Sequence, residues 1–556
     1  MRRRSTLAIG AVALALTLLA AACGGGGSSS SGNGNGNGQE KAAAGNLASS
    51  QVITVNWGTE PPSLDPGLAT DTTSSNILLN VMDPLVRLDD KLQPKPSLAQ
   101  SWDVSPNGRT VTFHLRHDGR WTNGDPVTAQ DFVWSWKRTI SPELAADYAY
   151  QFYGVVGAQA YNACKSNCAA LADKVGVSAP DKYTLKVRLT SRQPWFLQQV
   201  AHHSFLAVNK KAVDRWGSKW TEASHIVTDG PFKLARWRHD AEIDLVKWKG
   251  WRDARDVTLT RVNGKMISDG TTAVQAFEAG ETDADVIGPP PDQTPRFKGR
   301  PDYQVFPALG TYYYGFNVKN IPDVNQRRAM SLAIDRQTII DNITQANQIP
   351  AQAYVPKGMP GFATIDVKSK WLPAHGDLDQ AKQLMARVKD PVKNVTLWFN
   401  NAPGHKPIAI AVQSMWKKLG LHVTLKAQDF AQYLQFLGPP PNKAVDAFRL
   451  GWIADFPDAI NFLEQWTCTS GNNNTNFCDP RYDTLVKKAR QTPDDNARYG
   501  IYHQLQEILM GPNGQLPFTP IYWYTYPALV KESIKGTFTI NPLDSVDLTK
   551  VQVRET

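Results

Sequence analysis

A mixed α/β fold of two or three domains is what the sequence predicts, on three observations. Stretches in which apolar and polar residues alternate, VTFHL (111–115), TLKVRL (184–189) and VTLWF (395–399), read as strands with one buried face. Segments with helical spacing and recognisable ends fall between them. About 500 residues remain after a leader and a tether, enough for two or three well-filled cores.

The chain opens MRRRSTLAIGAVALALTLLAAAC, three arginines followed by an apolar stretch from Leu7 to Leu19 and small residues ending at Cys23. That stretch is too short to span a bilayer comfortably and has the pattern of an export signal. A cysteine after Ala20, Ala21 and Ala22 resembles the lipobox of bacterial lipoproteins, although Leu19 stands four residues before it where the usual leucine stands three. Residues 1–22 are therefore expected to be a lipoprotein signal peptide and Cys23 a lipidation site. The following GGGGSSSSGNGNGNGQEKAAAGNLASS buries almost nothing, so residues 23–50 are expected to be a disordered Gly/Ser/Asn linker. Its ~27 residues reach about 30 Å, a tether between a lipid anchor and a body outside the membrane. No later segment is long and apolar enough to cross a bilayer.

Within the body, Thr128 and Asp131 have the spacing of a capping box that opens DFVWSWKRTI, with Phe132, Trp136 and Ile140 on one face. RRAMSLAIDRQTIIDNI places Ala329, Leu332, Ile339 and Ile340 on a core-facing stripe. A further helix is bounded by Pro407 and Gly420, and another stops at Gly511. No internal repeat is evident. The aromatic clusters YYYGF (312–316) and YWYTY (522–526) read first as core and second as walls of a site that accepts varied groups.

The formal charge of +9 includes Arg2, Arg3 and Arg4, and the remaining excess is diffuse, without a basic stripe or a nucleic-acid motif. No nucleic-acid partner is expected. Apart from Cys23 there are Cys164, Cys168, Cys468 and Cys478, and an oxidising exterior favours disulfides. Cys164–Cys168 and Cys468–Cys478 close the smallest loops and are the preferred pairing. Zinc spacing is absent, so no metal is expected. His202 and His203, read as strand neighbours, are expected to point to opposite faces and not to share a metal. A nucleophile elbow, a P-loop, a zincin motif and a dinucleotide fingerprint are all missing, which argues against an enzyme and against a cofactor.

Several segments, taken together and in order, resemble the family 5 extracellular solute-binding proteins, the oligopeptide- and dipeptide-binding subunits of ABC importers. They are EPPSLDP (60–66), TFHLRHDGRWTNGDPVTAQDFVWSWKR (112–138), IVTDGPFKLARW (226–237), YYYGFNVKNIPDVNQRRAMSLAIDR (312–336), GWIADFPD (451–458) and NFCDPRYDTLVKKA (476–489). The resemblance covers the chain from about Val52 onward and is nearest to the oligopeptide binders. It implies a two-lobed, hinged α/β clamshell with an extra inserted subdomain. The first lobe would comprise 51–95, 205–310 and 506–556, the inserted subdomain 96–204, and the second lobe 311–505.

The resemblance also implies a role for Asp455, a carboxylate in an otherwise apolar run, RLGWIADFPDAINFLEQW. The family aspartate at this position receives a peptide's α-ammonium; an internal salt bridge to an arginine such as Arg328 is the alternative. Arg449 and His405 match positions that meet the peptide's carboxylate, though Arg449 could pair with Asp446 and His405 could cap a loop. Six residues along a strand would set Arg449 roughly 20 Å from Asp455. Trp452, Phe430 and Gly451 complete the expected ligand-binding set. Close relatives carry an acid where this chain has Ser74, implying altered cleft charge. The expected partners are an oligopeptide, an ABC permease, and the membrane through the lipid anchor only; the chain is expected to be a monomer at the outer face of the cell membrane or in the periplasm. Rival ligands are a signalling peptide, an opine, a sugar or a metal chelate, and the remote rival activity is that of a cell-surface peptidase.

Overall fold

The computed structural model describes residues 46–362, 371–402, 404–438 and 443–556. The leader, Cys23 and most of the tether lie outside the described residues. Residues 46–50, assigned to the linker on composition, are tied down: Leu47 bridges to Arg554, and the Ala48 N–H donates to the Val553 carbonyl at 2.9 Å. Paired backbone, not side-chain burial, orders this stretch, which is why composition missed it.

The alternating stretches form strands. Thr110–Leu115 lies between Ala99–Val104 and Thr184–Arg188 in a small antiparallel sheet completed by Val177–Asp181. Val111, Phe113, Leu115, Leu185 and Val187 share a core with Phe132 and Trp136 of the adjacent helix Ala129–Thr139 and with Ile140, the residue that caps its end. The capping box opens that helix, with the Thr128 N–H donating to the Asp131 carboxylate at 2.8 Å. This is the inserted subdomain's core. Its helix is clipped to the EPPSLDP segment by Arg138, which donates two hydrogen bonds to Asp65 at 3.0 and 2.6 Å, and Trp220 donates to the same carboxylate at 3.1 Å.

Both lobes share one large mixed sheet. In order, its strands are His422–Gln428, Asn394–Asn400, Ala447–Ile453, Tyr303–Phe316, Phe518–Val530, Ala284–Asp285, Val52–Asn56, Arg261–Lys265, Glu242–Lys247 and Phe232–Arg238. Two long strands serve both halves. Residues 303–307 pair with 525–529, whereas 311–315 pair with 518–523 and with the strand Ala447–Ile453; the register shifts between Pro307 and Thr311. The strand Tyr303–Phe316 keeps Phe518–Val530 as its partner across that shift and gains Ala447–Ile453 as a second partner beyond it.

The expected boundary at residue 506 falls within a helix. The helix Asp495–Met510 runs unbroken through the expected boundary, and Leu505, Leu509, Met510, Leu516 and Phe518 pack in a second-lobe core. The stripe over 327–343 is buried as expected, yet it forms two helices, Val324–Leu332 and Arg336–Ile339, followed by a π turn. Asp335 caps the second by accepting from the Thr338 N–H at 2.8 Å, and a good cap in mid-stripe restarts the helix. The helix expected from Pro407 begins two residues earlier and spans His405–Lys417. Both short disulfides, Cys164–Cys168 and Cys468–Cys478, are formed. No helix among the described residues is long and apolar enough to cross a membrane.

Candidate functional site: an interlobe cavity with opposite charges

A cavity of about 450 Å³ is lined by both lobes and the inserted subdomain. Asp455, Arg449, His405, Trp452, Phe430 and Gly451 all line it. The strand Ala447–Ile453 carries three of them, and Asp455 lies two residues past its end, where the Ala454 N–H turns to the Leu309 carbonyl at 2.8 Å. A single strand therefore does not separate Arg449 from Asp455 over the whole interval.

Asp455 does not meet Arg328, whose guanidinium donates instead to the Gly514 carbonyl at 2.6 Å. Its carboxylate accepts from Tyr148 Oη at 3.1 Å, Gln151 Nε2 at 2.9 Å and Asn461 Nδ2 at 2.7 Å, and His202 Nε2 lies at 3.2 Å. Asn461 in turn accepts from the Asp455 N–H at 2.9 Å and from Trp452 Nε1 at 3.1 Å. The Asp455 side chain is only 7 % exposed. Of these four side chains, the partners found among the described residues, only His202 can carry a positive charge, so the carboxylate is fixed in place largely by dipoles and remains able to attract a cation.

His202 and His203 are not strand neighbours. His203–Phe205 is a turn of 3-10 helix, and the two rings lie 4.0 Å apart. His202 reaches Asp455, whereas His203 Nε2 contacts the Ala69 carbonyl at 3.0 Å. Burial, then the neighbouring His202, holds His203 well below the ordinary histidine range.

Arg449 is 8 % exposed and lies over the Tyr312 ring, 4.5 Å from its centroid. It donates to Asn400 Oδ1 at 3.1 Å and to the Tyr524 hydroxyl at 2.5 Å. Asp446 is not its partner; that carboxylate accepts from Asn320 and Thr396. Among the described residues Arg449 has no carboxylate in salt-bridge range, and its Nε is buried without a partner. A buried guanidinium in that condition carries a desolvation cost that an incoming anion would relieve. His405 begins its helix and is partly buried, with Nδ1 at 3.4 Å from the Tyr312 hydroxyl. Burial, then Arg449, holds its imidazole well below the ordinary value, leaving it neutral beside the guanidinium. A Cβ at Gly451 would come within 2.3 Å of the Tyr524 hydroxyl, so glycine is what lets Tyr524 cross the strand to reach Arg449.

Ser74 does not line the cavity. It is buried in the helix Thr72–Val81 and donates to the Asp71 carboxylate at 2.6 Å; Asp71 does line the cavity, so an acid is present three residues earlier. Sequence reasoning also missed Tyr148, Gln151, His202, Asn461, Tyr526 and Asp544. The alternating tyrosines of YWYTY were the available signal for one wall: Tyr522, Tyr524 and Tyr526 all face the cavity.

A cavity closed by two lobes, with a carboxylate and a guanidinium presented from one of them, defines a clamshell binding protein. The chain belongs to the bacterial extracellular solute-binding proteins, family 5, whose profile matches residues 93–474. It is 34 % identical over 517 residues to the dipeptide-binding protein DppE of Bacillus subtilis, covering 90 % of this chain and 92 % of that one. The crystal structure of Haemophilus influenzae OppA in complex with RPPGFSPFR superposes with a TM-score of 0.85 at 29 % identity, covering 92 % of this chain and all of the other. The murein tripeptide binding protein MppA of Escherichia coli gives 0.86 in one structure, covering 92 % of this chain and 100 % of that one. Its unliganded open form gives 0.64, covering 92 % and 99 %. Identity is 29 % in both comparisons, and the superposition is closer to the first structure than to the open form.

Proposed function

We propose that this protein is the extracytoplasmic substrate-binding subunit of an ABC importer, capturing oligopeptides in the interlobe cavity and delivering them to a membrane permease. Asp455 receives the α-ammonium, Arg449 with His405 receives the carboxylate, and Trp452, Phe430 and Gly451 contribute walls. The observation that carries the reading is the pair of opposite charges on one cavity: a dipole-fixed carboxylate at Asp455 and a guanidinium without a carboxylate partner at Arg449. The relatives named as dipeptide- and oligopeptide-binding proteins support it. Binding and lobe closure are the whole of the mechanism, without covalent chemistry, and the ligand favours the closed arrangement by its greater affinity for it. Lipidation at Cys23 and the tether hold the monomeric body at the outer face of the membrane.

Native mass spectrometry of protein purified without refolding, followed by release and sequencing of what co-purifies, tests the reading. Peptides of roughly two to seven residues are expected. A single non-peptide mass would overturn the peptide assignment.

A further inference from the structure

The cavity has a second acidic region that the terminus-binding groups do not use. The start of the helix Thr72–Val81 is stitched to the turn at 541–546. Asn76 donates to the Asp544 carbonyl at 2.7 Å and accepts from the Val546 N–H at 2.8 Å, and Thr72 hydrogen-bonds the Asp544 carboxylate. Asp544 is thereby fixed beside the segment that carries Asp71, and both carboxylates line the cavity. Asp71 spends its oxygens on the Ser74 N–H at 2.9 Å and the Ser74 hydroxyl at 2.6 Å, bonds that leave lone pairs free.

Tyr526 supplies an independent observation. The last of the alternating tyrosines, it is 9 % exposed, lines the same cavity, and has a buried hydroxyl without a hydrogen-bond partner among the described residues. Burial, and then the proximity of Asp544, raises its phenol well above the ordinary range. Neither Asp71 nor Asp544 has a lysine or arginine in salt-bridge range among the described residues; Arg87, which also lines the cavity, is held by Asp83 at 3.2 Å. Burial pushes Asp544 up to about 7 and Asp71 up to about 6, the condition of carboxylates kept out of water without a cation. Asp544 sits at φ +57°, where aspartate and asparagine are favoured, which accounts for a short polar residue in the turn but not for a carboxylate facing the cavity.

We propose that Asp544, with the Tyr526 hydroxyl and the adjoining Asp71, is a subsite for a cationic side chain of the bound peptide, an ammonium or a guanidinium, separate from the α-ammonium site at Asp455. It rests on the peptide reading above. All three groups can accept N–H bonds, and a cation there relieves the burial of two acids.

The test is a scan of alanine pentapeptides with a single lysine or a single glutamine at each position, titrated calorimetrically at pH 7.5 into the mature protein, Asp544→Asn and Tyr526→Phe. Asparagine keeps the left-handed turn. The readout is the lysine-to-glutamine affinity ratio at each position, which cancels general losses of binding. One internal position is expected to show a ratio of about tenfold or more, abolished in Asp544→Asn and reduced in Tyr526→Phe. A flat scan, or a ratio that survives Asp544→Asn, overturns the subsite while leaving peptide binding standing. Failure of every pentapeptide to bind overturns the peptide reading and the subsite with it.

Discussion

Asp455 sits among donors, and that determines what its removal does. Asp455→Ala strands Tyr148, Gln151 and Asn461 without their acceptor, so it is expected to lower thermal stability by about 1–3 kcal/mol as well as peptide affinity by about 2–5 kcal/mol. Calorimetric titration and a thermal melt measure the two separately; lost binding with an unchanged melt would contradict the donor set. Asp544 makes the opposite prediction for stability. Burial raises it to about 7, so the folded chain holds that proton more tightly than the unfolded chain does, and the stability this contributes at low pH is lost as pH rises toward 7 and above. Asp544→Asn cannot ionise. Its melting temperature is expected to match that of the parent near pH 4 and to exceed it increasingly toward pH 8, and a gap independent of pH would contradict the assignment. Asp455, Arg449 and His405 were readable as candidates because short motifs carry them, and all three line the cavity. Their neighbours were not: Gln151 is 304 residues from Asp455, and Asn76 is 468 from Asp544, contacts that only tertiary folding creates.

Among the elements, local signals were dependable where one residue's chemistry fixes the backbone. Thr128 with Asp131 opened a helix as read, and Gly511 follows the end of another. The stripe at 327–343 was right about burial and wrong about continuity, because periodicity reports a face while the Asp335 cap decides where a helix restarts. His202 and His203 were misplaced for a similar reason: a turn of 3-10 helix puts adjacent rings together, and nothing in the dipeptide says so. The Cys468–Cys478 loop bears on function as well as stability, since Gly471, Asn472 and Asn474 inside it line the cavity. Replacing both cysteines with serine is expected to cost roughly 2–3 kcal/mol in chemical denaturation and to weaken peptide binding. Unchanged binding would show that the loop holds its shape without the bond.

For the whole molecule, the α/β class followed from the sequence, and the inserted subdomain from the resemblance. The two long strands pair with each other through a register shift between Pro307 and Thr311, a feature that hydrophobic pattern alone does not reveal. Asp71, Asp544 and Tyr526 line the same cavity as Arg449 and Asp455, so a ligand held there is expected to favour the lobe arrangement that encloses it. The role proposed for Asp455 is recognition of a peptide's charged N-terminus. Calorimetric titration of tetra-alanine and N-acetyl-tetra-alanine into the mature protein measures this directly. Acetylation is expected to cost about 2–5 kcal/mol, a loss of roughly thirtyfold or more, because it removes the cation and leaves the rest of the peptide unchanged. Equal affinity for the two forms would contradict the account.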